Sequence, residues 1–105
     1  MTNVIRLRVS GKVSNVKLED LERVISFVSE LEDHKYDPMF PWHIGRAIRN
    51  RVAKTDDDEQ QITVNNSHMR IIINGVLRMV DEEDIDEETK DSMENIHSII
   101  NKDSQ

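Results

Sequence analysis

Two histidines and an aspartate lie around a proline-rich stretch and are the first candidates for chemistry. His34, Asp37 and His43 belong to or border the stretch DHKYDPMFPWH, and the chain has no Cys. Imidazole and carboxylate are the ligands that a divalent ion takes when no thiolate is present. The three residues lack the H-E-x-x-H spacing of a zinc site, so we interpret them as loop residues that satisfy backbone groups and cap a helix. We expect no metal site and no cofactor.

Seven carboxylates are concentrated in the segment DEEDIDEE, residues 81–88. Oxygen-rich loops bind hard cations, but this one lacks the Gly and the twelfth-position Glu of an EF-hand loop. Acidic side chains also stabilise the positive end of a helix dipole. The sequence therefore predicts that the segment caps the last helix and otherwise forms an acidic surface, which consists of Asp81, Glu82, Glu83, Asp84, Asp86, Glu87 and Glu88.

Residues 42–54 form a basic segment. Arg46, Arg49 and Lys54 share a broad helical face with Trp42, whose ring could stack on a nucleic-acid base. The isoelectric point near 5.0 favours the alternative that these arginines pair with the acidic half of the same molecule, because nucleic-acid binders usually have a basic domain. Nucleic acid is therefore our second choice of partner.

The proline-rich stretch also holds three of the four aromatic residues of the chain. Aromatic and Arg side chains are the usual anchors of protein interfaces. The predicted partner-binding residues, for a partner that is another protein, are Tyr36, Phe40, Trp42, Arg46 and Arg49.

Catalytic motifs are missing from the sequence. Gly11, Gly45 and Gly75 are isolated, so no phosphate-binding loop can be assembled, and neither a nucleophile elbow nor a zinc-protease motif occurs. We expect a non-catalytic protein. An active site assembled from scattered residues is the lowest-ranked alternative.

Length and charge limit the class of protein. A chain of 105 residues predicts a single domain, 1–105. The first 54 residues hold ten basic and seven acidic side chains, and the remainder hold four and fourteen, which adds to the net charge of −7. The chain has no signal-like segment and no apolar run long enough to span a bilayer. We expect no membrane partner and a cytoplasmic location, or the host cytoplasm if a phage encodes the protein.

Two segments have the patterns of β-strands. Residues 1–16 predict one long strand that bends at Gly11, with Ile5, Leu7, Val9 and Val13 on its buried face. A short second strand follows an acidic linker within 55–66. Because such a sheet leaves an unpaired edge, we expect a homodimer or another protein that pairs with the strand edge.

Four segments have helical periodicity: 17–33, 42–54, 67–81 and 85–101, with the aromatic and proline loop at 34–41. Ser14 or Asn15 is the predicted cap of the first helix, and Asn66 or Ser67 that of the third. Asn74-Gly75 within MRIIINGVLRMV is typical of a hairpin turn. A hairpin would place Arg70 and Arg78 among apolar residues, whereas a helix gathers the apolar residues on one face, so the sequence favours a helix.

The predicted fold class is α+β and predominantly helical, with a long N-terminal strand, a short second strand and about four helices that end in an antiparallel helical hairpin. The sequence indicates no internal repeat. The expected function is that of a small protein-binding regulator, adaptor or inhibitor, including a phage-type inhibitor of a host protein. The alternatives are a nucleic-acid-binding regulator that uses helix 42–54 and an acidic mimic of DNA.

Overall fold

The computed structural model of the protein describes residues 12–34, 37–56 and 58–103. In chain order these residues form β1 (Val13–Lys17), α1 (Leu18–His34), α2 (Trp42–Ala53), β2 (Gln61–Asn65), α3 (Asn66–Met79), a 3-10 turn (Glu82–Asp84) and α4 (Glu87–Asp103). The two strands form an antiparallel sheet. The predicted class, a mostly helical α+β fold, is confirmed.

The sheet buries the face of β1 that the sequence did not predict. Ser14 and Val16 are buried, whereas the Val13 side chain is 56% exposed, so the assignment of Val13 to the apolar face is wrong. Ser14 is accommodated in the interior because its hydroxyl donates a 2.6 Å hydrogen bond to Asn66 Oδ1. Most of the predicted strand 1–16 lies outside the described residues.

Each strand runs directly into a helix, without a loop. Because β1 continues to Lys17, Ser14 and Asn15 are strand residues and cap nothing. The cap of α3 is Asn65, whose Oδ1 accepts a hydrogen bond from the His68 amide. Both predicted cap assignments are therefore wrong, because the sequence pattern did not separate the last strand residue from the first helical one.

Consecutive helices form two antiparallel hairpins. Glu32, near the end of α1, pairs with Arg46, near the start of α2. Arg70, near the start of α3, donates to the carbonyl oxygen of Ile100, near the end of α4. The predicted terminal helical hairpin is confirmed, and one cluster of buried apolar side chains joins all of these helices and strands.

Helix α3 passes through Asn74-Gly75 without interruption. A methyl group at Gly75 would lie 2.7 Å from a ring carbon of Phe40, so the glycine allows the aromatic loop to pack on the helix. The helical interpretation of this segment is confirmed, and the Phe40 ring explains why a residue with low helix propensity occupies this position.

The two halves of the molecule repeat one arrangement, strand, helix, helix. Residues 48 positions apart correspond, and the strand register is symmetric about the central pair Asn15 and Thr63, so an approximate two-fold axis passes through that pair. Corresponding positions on α1 and α3 are buried together: Leu18 and Asn66, Leu21 and Met69, Val24 and Ile72, Ile25 and Ile73, Val28 and Val76. The arrangement of elements is therefore repeated in the structure, although the sequence shows no internal repeat.

Candidate protein-interaction groove

The two halves differ in how closely their second helix packs. We call the contact of α4 with β1 and α1 the closed interface. There Ser92 Oγ donates to the buried Asp20 carboxylate at 2.9 Å, and Arg23 donates to the same hydroxyl at 2.8 Å. Ile96 and Ile100 of α4 are fully buried. Packing and hydrogen bonds together hold α4 against the sheet and α1.

The corresponding contact of α2 with β2 and α3, which we call the open interface, is closed at one end only. A methyl group at Gly45 would lie 3.7 Å from the Ile72 side chain, so α2 approaches α3 closely there. Toward the end of α2, from Ala47 to Lys54, a groove of about 550 Å³ separates it from the sheet and from the start of α3. The open interface is thus wedge-shaped.

The floor of this groove is apolar. Leu21, Val64 and Met69 lie at its base, and half-buried Ile48 forms part of the α2 wall. The exposed side chain of Val13 extends the apolar surface at the rim. A concave apolar surface of this volume is within the size range of binding sites.

Differences between the corresponding residues of α2 and α4 explain the groove. The positions that correspond to Asn95 and Ile99 of α4 are occupied by Ala47 and Arg51 in α2. Asn95 lies 3.5 Å from the Asp20 carboxylate, and Ile99 packs against the core. Ala47 is too small to fill the equivalent space, and Arg51 is exposed. The open interface therefore lacks the side chains that close its counterpart.

The cations of α2 fall into two groups. Arg46 and Arg49 lie 2.8 and 3.7 Å from the carboxylate of Glu32 on α1. Arg51 and Lys54 line the groove, and the described part of the chain places no carboxylate oxygen within ion-pair distance of either. The two predicted partner-binding arginines, Arg46 and Arg49, thus form ion pairs within the chain. The cations at the groove are Arg51 and Lys54.

The aromatic side chains predicted to contact a partner are placed as follows. Phe40 and Trp42 are buried, their ring centroids are 4.3 Å apart, and Trp42 Nε1 donates to the Asp37 carbonyl oxygen. Tyr36 lies outside the described residues. The two described rings thus serve the chain's own core, while their role in binding a partner stays a prediction.

The acidic segment 81–88 has all seven of its carboxylates exposed. Asp86 caps α4: its side chain accepts hydrogen bonds from the Thr89 hydroxyl at 2.8 Å and the Thr89 amide at 3.1 Å. These bonds, the hydroxyl bond first, lower the pKa of Asp86 below its ordinary value. The cap therefore stabilises the fold above the ordinary pKa of an aspartate, and this contribution is lost as the pH falls through the lowered pKa.

Two of the three candidate metal ligands, Asp37 and His43, have described side chains. Asp37 Oδ1 accepts a hydrogen bond from the Met39 amide, and the His34 side chain lies outside the description. Within residues 12–34, 37–56 and 58–103 there is no group of three His, Asp or Glu side chains arranged to hold a metal ion.

Sequence reasoning missed the groove because its floor residues, Leu21 and Met69, have the same pattern as any core residue. The missed rim residues are Arg51 and Lys54. The one available signal was the spacing of 48 residues between the two halves. This spacing aligns Ala47 with the larger Asn95, and Arg51 with the apolar Ile99.

Comparisons with protein-family models, with curated proteins and with solved structures found no match to this chain. None of the helices in the described part of the chain combines the length and the apolar character needed to cross a membrane.

Proposed function

We propose that the protein is a small, non-catalytic regulator that binds another protein through the groove at the open interface. The observation that carries this proposal is the open apolar groove at this interface, which exposed Val13 and half-buried Ile48 line above a floor of buried core residues. The second half of the molecule closes the corresponding space with α4. Apolar surface that a chain leaves in a concave site is a common feature of interaction sites.

A second candidate function is imitation of nucleic-acid phosphates by the acidic segment 81–88. The exposure of all seven of its acidic residues favours this function. Such a mimic would bind a basic partner and would not need the groove. Direct nucleic-acid binding by helix 42–54 ranks below both, because Glu32 offsets the charge of Arg46 and Arg49.

The experiment that tests the proposed function uses the only two alanines of the chain. Ala47 and Ala53 are both exposed on α2, but only Ala47 lines the groove. The tagged wild type, Ala47→Phe and Ala53→Phe are used to capture proteins from nuclease-treated bacterial lysate, and circular dichroism verifies that both variants fold.

We expect one protein to be captured stoichiometrically by the wild type and by Ala53→Phe, and to be lost with Ala47→Phe, since the new ring fills the groove. Equal capture by all three proteins would contradict the proposal. If Glu82→Gln with Glu83→Gln abolishes capture of a basic protein while Ala47→Phe does not, the acidic segment is the binding surface.

A further inference from the structure

The walls of the groove are helical, and this limits what fits between them. The second half of α2, from Ala47, and the adjoining Lys54 form one wall over roughly 10 Å, and the first turn of α3, with His68, forms the opposite wall. At the closed interface the corresponding surface is covered by apolar side chains of a helix, among them Ile96. The same kind of surface thus already accepts a helix face within this molecule.

The charge at the groove is opposite to that of the whole chain. The net charge is −7, yet none of the described residues that line the groove is acidic, and Arg51 and Lys54 are basic. Asp56 and Glu59 line a neighbouring depression that Arg51 and Lys54 also line, but neither carboxylate lies within ion-pair distance of these cations. Charge complementarity across an interface favours partners of opposite sign, so the rim selects for carboxylates.

We infer that the groove receives one face of an acidic amphipathic helix of the partner. Its apolar side chains lie on Val13 and Ile48, above the buried floor of the groove, and its carboxylates lie against Arg51 and Lys54. The inference rests on the proposed function and adds the chemical class of the bound segment. Helix-in-groove recognition of this kind uses apolar anchors at positions i, i+3, i+4 and i+7.

Two other candidate occupants of the groove would place positive charge next to its cations. The chain's own residues 1–11 include Arg6 and Arg8, which would lie near the cations of the groove. A second copy bound in a symmetric dimer would place its own Arg51 and Lys54 against those of the first, because a two-fold interface uses the same patch on both copies. Both arrangements add like charges, so an acidic segment of another protein is favoured.

The test selects binders from random sequences, so the natural partner need not be identified first. A display library of random peptides of about 15 residues, four turns of helix, is selected on immobilised full-length protein. Counter-selection on Ala47→Phe removes peptides that bind elsewhere, and Ala53→Phe serves as the matched control that must keep the binders. We expect enriched peptides to have helical apolar periodicity and net negative charge.

The outcomes separate the inference from the proposed function. Groove-dependent peptides that are neutral, basic or without helical periodicity would overturn the inference and leave groove binding intact. The absence of any groove-dependent enrichment would overturn the inference and count against the proposed function too. If the wild type sediments as a dimer and Ala47→Phe as a monomer, a second copy is the occupant and the inference is wrong. If peptides bind only to the variant Ile5→Asp with Leu7→Asp, residues 1–11 are the occupant of the groove and the inference is also wrong.

A charge-reversal variant tests the role of the rim directly. Arg51→Glu with Lys54→Glu should weaken binding of the selected acidic peptides by about tenfold or more, because like charges then face each other. The variant pair Arg46→Glu with Arg49→Glu carries the same change of net charge away from the groove and should have a much smaller effect. If both variants lose the same peptide affinity, the preference for acidic peptides is a long-range effect of net charge. That result would overturn the assigned contacts with Arg51 and Lys54.

Discussion

The closed and open interfaces are two versions of one contact, and they show how few side chains decide whether a helix packs on a sheet. At the closed interface, Ile99 packs against the core, Asn95 lies 3.5 Å from the Asp20 carboxylate, and Ser92 donates a hydrogen bond to the same carboxylate. At the open interface, Ala47 and Arg51 occupy the corresponding positions. One contact contributes to stability, and the other leaves apolar surface for a partner.

The largest expected difference between the interfaces is the effect of truncating their corresponding isoleucines. Ile96 is fully buried and Ile48 half-buried. Ile96→Ala should lower the free energy of unfolding by roughly 3 kcal/mol, because it leaves a cavity that the packed helix cannot fill. Ile48→Ala should lower it by about 1 kcal/mol, because its side chain already borders open space.

Urea denaturation followed by circular dichroism measures both isoleucine variants against the wild type. A common slope of the free energy against urea concentration is needed for the comparison. Equal losses at the two positions would mean that the open interface is as tightly packed as the closed one, and the groove would then not be a lasting feature of the folded chain.

Periodicity predicted the helices correctly where a helix buries a broad face, as in α1 and α3, because apolar residues then recur at the spacing of one helical face. It failed at the ends of the strands. Ser14 and Asn66 look like helix caps in the sequence, yet their hydrogen bond to each other lies inside the core. A polar residue that is satisfied by a partner 52 positions away has no local signal.

The candidate site was not predictable from the sequence for a related reason. The groove arises from the distance between α2 and α3. The space between them stays open because Ala47 is small and Arg51 is exposed. A sequence pattern reports which residues are apolar, but not whether facing surfaces meet. The packing of the aromatic loop was not predictable from the sequence either: Phe40 packs on Gly75 and on Trp42.

The hydrogen bonds of the closed interface are expected to have the second-largest effect. Ser92→Ala should lower the free energy of unfolding by about 2 kcal/mol, since it removes the shortest hydrogen bond to the buried Asp20 carboxylate. Ser98→Ala, on an exposed position of the same helix, is the matched control and should change stability by less than about 0.5 kcal/mol. If the two substitutions lower the free energy of unfolding equally, packing alone closes this interface.

The two helical glycines test the narrow end of the open interface, with the smallest expected effects. Gly75→Ala should lower the free energy of unfolding by about 1 kcal/mol, because the new methyl group would lie 2.7 Å from the Phe40 ring, which is itself packed against Trp42. At Gly45 the nearest atom, in the Val28 side chain, would be 3.4 Å away, an ordinary contact. Gly45→Ala should therefore raise the free energy of unfolding by about 0.5 to 1 kcal/mol through helix propensity. Thermal denaturation of the two variants distinguishes the signs. A loss at Gly45 would mean that α2 is tightly packed at this end, against Val28 of α1 and Ile72 of α3. The groove would then widen from a fixed contact and would not reflect a loosely packed helix.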